Sequence, residues 1–147
     1  MRRIISVLLA ALLAFLVLAP AAGALADSAA TQKVKIKTVD SESGKAACSV
    51  KVKIYQVTNP AKGTAKYLMT VRTDSKGIRT VDLKPGTYRI VAAAGAYDVC
   101  DPAHPETDYR YCFLEKTKQI TVEEGKNKTV TLKLARDPHA ACVPSCP

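Results

Sequence analysis

Polar and apolar residues alternate through much of the chain, and the alternation predicts strands. Lys33-Val34-Lys35-Ile36-Lys37 has the period of two expected of a half-buried strand, and Ser49-Val50-Lys51-Val52-Lys53-Ile54 repeats it. This pattern turns Val34, Ile36, Val50, Val52 and Ile54 toward a core and their lysines toward solvent. Between the two strands, Asp40-Ser41-Glu42-Ser43-Gly44-Lys45 has the composition of a turn. Tyr67–Thr73, Ile78–Leu83 and Thr87–Ala94 extend the series, separated by the turns Asp74-Ser75-Lys76-Gly77 and Lys84-Pro85-Gly86. In the fifth strand, Tyr88, Ile90, Ala92 and Ala94 share one face. A further loop is marked by Asn59-Pro60-Ala61-Lys62-Gly63. Late in the chain, Gln119–Val122 and Lys128–Leu134 flank Glu123-Glu124-Gly125-Lys126-Asn127, a hairpin signature. Seven short strands without an amphipathic helix predict an all-β, seven-stranded antiparallel two-sheet sandwich.

The first 26 residues break the pattern. Arg2 and Arg3 precede the uncharged apolar run Ile4–Ala19, and Ala24-Leu25-Ala26 supplies a small-residue cleavage pattern. Together they read as a secretory signal peptide at 1–26. The apolar run is shorter than the roughly 20 residues that span a bilayer, so the expected tie to a membrane is through this cleaved segment alone. The remaining 121 residues suffice for one domain, expected at 27–136, with a cysteine-containing tail at 137–147. The whole chain carries 22 basic and 13 acidic residues. Without Arg2 and Arg3 the balance is about +7, a charge suited to anionic partners or simply to solubility.

Three segments carry a family resemblance. They are Val34–Asp40 with its glycine turn and Val50-Lys51-Val52; Thr73–Tyr88, which reads T-D-x-x-G…L-x-P-G-x-Y; and Ile120–Lys126 leading to Leu132. The chain resembles the carboxypeptidase regulatory-like group of prealbumin-like sandwiches, related to the Cna-B and SpaA-type repeats of bacterial surface proteins, over about 31–135. The resemblance implies a sandwich fold and an accessory, adhesive or carbohydrate-facing role. In Cna-B-type domains a first-strand lysine forms an isopeptide bond with a last-strand asparagine. Here Lys128–Leu134 lacks Asn and Asp, so no such bond is expected. The transthyretin-like hydrolases of the group use several histidines, and this chain has only His104 and His139. With no G-x-S-x-G or H-E-x-x-H motif either, no enzyme and no cofactor are expected.

Cys48, Cys100, Cys112, Cys142 and Cys146 all follow the leader, and export makes disulfides the default. Five is an odd number, so one thiol is left to stay free, to bind something, or to join chains into an oligomer. Residues 96–118 interrupt the resemblance and read as an inserted loop or extended hairpin stapled by a Cys100–Cys112 disulfide. The insertion serves either as a restrained loop only or as a recognition loop using Tyr97, Tyr109, Arg110 and Tyr111. Cys142 and Cys146 pair with each other or with Cys48. Alternatively, His139, Cys142 and Cys146 form a three-residue metal candidate for copper or zinc, one ligand short of a structural zinc site.

Lys33, Lys35, Lys37, Lys51 and Lys53 form one basic face if the first two strands share a sheet. With no aromatics interleaved, nucleic acid is not an expected partner. The leading expectation is a secreted or periplasmic, non-catalytic binding module at the cell envelope, contacting an anionic polymer, a carbohydrate or a protein. The alternatives are a structural, oligomerising surface subunit and a periplasmic metal carrier.

Overall fold

The computed structural model describes residues 30–100 and 109–140. The predicted leader, His104, Cys142 and Cys146 lie outside the described residues. Among the described residues, ten strands form two packed sheets: β1 Gln32–Asp40, β2 Ala46–Cys48, β3 Lys51–Asn59, β4 Thr64–Arg72, β5 Ile78–Leu83, β6 Gly86–Ala92, β7 Gly95–Cys100, β8 Tyr109–Phe113, β9 Lys116–Val122 and β10 Lys128–Leu134. One sheet runs β10-β1-β2-β7-β8, with β5 also paired to β1. The other runs β4-β3-β6-β9. No described helix is long and apolar enough to cross a membrane.

All seven expected strands are present, and the sandwich is as expected. The three additional strands are β2, only three residues long, and the hairpin β7–β8, which flanks residues 101–108. The extended-hairpin reading of the insertion therefore describes its stem. The prolines, which argued against a strand between Cys100 and Cys112, stand at 102 and 105, and Tyr109–Cys112 beyond them pairs with β7.

The core is built as the alternation requires. Val34, Ile36, Val50, Val52, Ile54, Ile90 and Leu132 are fully buried, with Tyr88, Ile120, Val122, Val130 and Leu134 around them. Burying each such aliphatic side chain contributes about 1.5–3 kcal/mol. Ala94 departs from the expected inward face: β6 ends at Ala92, and Ala94 is exposed in the connection to β7.

Two of the expected pairings are corrected. The expected second strand, Ser49–Ile54, is β3 and starts only at Lys51, because Ser49 has a φ of +55°. Before Ser49, β2 pairs with β1 and β7; after it, β3 pairs with β4 and β6. The chain thus changes sheets within two residues. Buried threonines hold this corner. Thr38 Oγ1 donates to Ala47 O at 2.7 Å, and Thr73 Oγ1 accepts from Val50 N at 3.0 Å. Nor do β9 and β10 form a hairpin. β9 pairs antiparallel with β6, whereas β10 pairs in parallel with β1, from Val34↔Lys128 to Asp40↔Leu134. The turn at 123–127 crosses between sheets, and its Asn127 Oδ1 accepts from Lys33 N at 3.1 Å.

The Cys100–Cys112 pairing is also corrected. Cys100 bonds Cys48, with their Cα atoms 6.0 Å apart, and Cys112 is engaged in a disulfide as well. The register explains this. Cys48 and Cys100 lie at opposite ends of the short β2–β7 ladder, whereas Cys112 sits opposite Ala96, four residues from Cys100. The bond ties the sheet-changing corner to β7.

Gly77 closes the Asp74–Gly77 turn at φ +65°, and a Cβ there would lie 2.5 Å from Thr38 O. Gly63 has nearly the same φ, +64°, but open space around it. Gly63→Ala is expected to cost about 1–2 kcal/mol for the left-handed backbone alone. Gly77→Ala should cost about 3 kcal/mol or more, because the clash is with backbone. Urea denaturation measures both, and equal losses would contradict the close approach of Gly77 to β1.

Candidate functional site

The expected basic face is divided by the change of sheets at Ser49. Lys33, Lys35 and Lys37 stand on the outer face of the six-stranded sheet, and Lys51 and Lys53 on that of the four-stranded sheet, on the opposite side of the sandwich. Lys33 lies across from Asp82 in β5, which partly offsets the charge of its row.

A different set of lysines converges. β9 is the edge of one sheet and β10 the edge of the other, and they run beside each other where the sandwich opens. Lys128 Nζ bridges the two edges, donating to Thr121 O at 2.8 Å. Further along, Lys116, Thr117, Lys118, Thr131 and Lys133 line a groove. All three of its lysines are exposed, and no carboxylate lines it. Lys116 and Lys118 escaped the sequence reading because they fell in the expected insertion at 96–118, whereas β9 begins at Lys116, and Lys133 because its strand was expected to pair with Gln119–Val122. The signal available was the run Lys116-Thr117-Lys118, in which both lysines fall on the face that later carries Ile120 and Val122.

The four residues of the expected recognition loop have different surroundings, with Tyr109 and Tyr111 in ring contact at 6.4 Å. Tyr97 is a core residue: it is buried, stacks on Phe113 with ring centroids 6.5 Å apart, and donates its hydroxyl to Ala93 O at 2.9 Å. Tyr109 is the most exposed of them, at 62%. Arg110 is exposed and pairs with Asp98 across the hairpin at 2.9 Å. Tyr111 lies under the guanidinium of Arg136, whose Cζ is 3.6 Å from the ring centroid. Such a stacked cation contributes about 0.5–2 kcal/mol.

Arg136 belongs to a structural cluster at the end of the β1–β10 ladder. Its Nε and Nη2 reach the Asp40 carboxylate at 3.2 and 2.5 Å, and its Nη1 reaches Glu42 at 3.0 Å. Asp40 is fully buried. It also accepts from the Ser43 hydroxyl at 2.6 Å and from the Glu42 and Ser43 amides. Burial alone would raise its pKa, but the hydrogen bonds from Arg136, Ser43 and the two amides outweigh it and hold the carboxyl below its ordinary value. His139 is exposed, and its backbone N donates to Asp137. Among the described residues no cluster of three metal-ligating side chains occurs. The described part of the tail thus contributes one histidine, and its cysteines lie outside it.

No protein-family model matches the chain, and no curated protein matches it. Solved structures do. The Bacillus anthracis TIE protein matches at 17% identity over 73% of this chain and 17% of its own, with a TM-score of 0.51. The major pilin subunit of Bacillus cereus matches at 15% identity over 71% of this chain and 30% of its own, with a TM-score of 0.49. The group B streptococcus pilus 2b backbone protein matches at 13% identity over 73% and 42%, with a TM-score of 0.48. This chain spans less than half the length of each. The first likeness supports the fold, a two-sheet β-sandwich, and nothing finer.

The Asp40 cluster makes stability depend on acid. A carboxylate whose pKa is lowered by folding stabilises the native state fully above its unfolded value, and this contribution is lost as the pH falls through the folded value. Wild-type stability should therefore drop below about pH 4, and Asp40→Asn should flatten that limb. Arg136→Ala should cost about 2–4 kcal/mol at pH 7, since it strands a buried charge. Denaturant midpoints measured from pH 2 to 7 check both. An unchanged acid limb in Asp40→Asn would count against the cluster.

Proposed function

We propose that this protein is an exported, non-catalytic binding module that holds an anionic polymer at the cell envelope, in the groove between β9 and β10. The carrying observation is the convergence of Lys116, Lys118 and Lys133 on one groove that no carboxylate lines. Three ammonium groups on two adjoining edges repel one another unless an anion lies among them, and a polyanion brings several charges at once. The lysines are solvent-exposed, so the attraction falls with salt over a Debye length of about 8 Å at physiological ionic strength. Threonine hydroxyls at 117 and 131 add hydrogen-bonding groups between the charges.

Two further features support the reading. The Cys48–Cys100 disulfide belongs to an oxidising compartment, where envelope polymers are met. The overall excess of basic residues, 22 against 13, gives long-range attraction of the same sign as the groove.

Dextran sulfate titrated by calorimetry tests the proposal. Wild-type protein should bind at 20 mM salt and weaken strongly at 500 mM. Lys116→Gln/Lys118→Gln/Lys133→Gln should lose at least tenfold in affinity. Lys33→Gln/Lys35→Gln/Lys37→Gln, with the same change in net charge, should lose less than twofold. Equal losses in the two variants would mean that net charge, not the groove, does the binding.

A further inference from the structure

The groove does not end at β9. Thr117 lines it on one side and, on the other, lines a second concavity on the outer face of the four-stranded sheet, with Lys53, Tyr55, Arg89, Val91 and Glu115. One edge strand thus separates two depressions that share a residue, and an extended ligand lying across β9 reaches both.

The second depression has a different chemistry. The strand registers set two cross-strand rows there, Thr117–Val91–Lys53–Thr70 and Gln119–Arg89–Tyr55–Tyr67. Val91 is 7% exposed and floors the concavity. Tyr55 and Tyr67 meet edge to face, with ring centroids 5.7 Å apart at 70°, and Tyr67 is 53% exposed. The Tyr67 hydroxyl lies 3.1 Å from that of Thr70. Arg89 lies across from Tyr55 in the register and is anchored through Nη2 to Gly63 O at 2.9 Å. Exposed aromatic rings in a polar row offer flat apolar surface with hydrogen-bonding groups at the rim. A guanidinium offers paired donors to a carboxylate, and Glu115 offers an acceptor to hydroxyls.

Resting on the reading of the groove as an anionic-polymer site, we propose that the polymer is a glycan of acidic sugars lying across β9. Its carboxylates meet Lys116, Lys118, Lys133 and Arg89, and one pyranose ring packs its C–H face on the Tyr55–Tyr67 pair. The mixture of groups selects this class. A polyphosphate would satisfy the lysines but has no C–H surface for the tyrosines and no sugar hydroxyls to donate to Glu115. An uncharged glycan would use the tyrosines and leave the lysine groove without a counter-charge. Only a chain with ring faces, hydroxyls and carboxylates in each repeat uses both sides of the strand.

The test compares three probes of matched length by calorimetry: oligogalacturonate, inorganic polyphosphate and uncharged malto-oligosaccharide. Oligogalacturonate should bind at least fivefold tighter than either of the others. Tyr55→Thr/Tyr67→Thr should weaken oligogalacturonate at least fivefold and leave polyphosphate within twofold, and Arg89→Gln should weaken oligogalacturonate alone. Titration of wild-type protein with oligogalacturonate, followed by amide chemical shifts, should perturb residues on both sides of Thr117, including Tyr55 and Lys133. This readout does not depend on any variant folding. Polyphosphate binding as tightly as oligogalacturonate, or tyrosine variants that bind it like wild type, would overturn the acidic-glycan inference. So would dextran sulfate binding without oligogalacturonate binding, and in each of these cases the polymer reading would stand. Failure of dextran sulfate and both charged probes to bind would remove the two together.

Discussion

The parallel ladder between β1 and β10 is the constraint from which the rest of the arrangement follows. β1 lies inside the six-stranded sheet, with β10 along one edge and β5 and β2 along the other. With β10 paired there and β9 paired to β6 in the other sheet, the last connection has to cross between sheets. The crossing buries Val130, Leu132 and Leu134 against the opposite layer. It also leaves two edges, β9 and β10, side by side without a ladder between them. Where such edges meet, the backbone is open to solvent, and charged side chains there oppose unwanted pairing with another chain. The same lysines that guard the edges create the positive groove.

The end of the ladder is secured by polar groups, not by apolar packing. Asp40 closes β1, caps the turn after it and receives the guanidinium that follows β10. Arg136 in turn covers Tyr111 from β8. First strand, last strand and inserted hairpin are thereby joined at one point. The Cys48–Cys100 bond does comparable work at the corner where the chain changes sheets. The disulfide stands where the chain leaves one layer for the other, and there hydrophobic burial alone does not specify the path. With these corners held, the outer face of the four-stranded sheet can carry the Tyr55–Tyr67 pair and Arg89 in fixed register next to β9.

Alternation made the layers legible. Val34, Ile36, Val52, Ile54 and Ile90 point inward as their spacing requires, because a period of two has one buried face. What it did not record is which strand neighbours which. Ser49 looks like the start of a strand, but its positive φ divides the segment between sheets. The five residues at 123–127 suit a tight hairpin and equally a crossing, and only the competition for the edge of β1 decides between them. β7 alternates too, with Tyr97 and Val99 inward, yet its nearness to cysteine and proline made it read as loop. The candidate site depended on pairing, so it was largely hidden: Lys33 and Lys53 seemed to share a face, and Lys118 seemed to belong to the insertion while Lys133 seemed to belong to a hairpin. The contact-prone tyrosines of the insertion were judged by residue type, whereas Tyr97 serves the core because its hydroxyl finds a carbonyl there.

The path of the last strand decides the matter most directly, and backbone nuclear Overhauser effects read it. A parallel ladder predicts contacts linking Ile36 with Val130 and Lys37 with Thr131, and Thr38 with Leu132 further on. Antiparallel backbone contacts running from Val122 and Lys128 back along β9 and β10, with none between β1 and β10, would contradict it. In that case the edges would be paired to each other and no groove would lie between them.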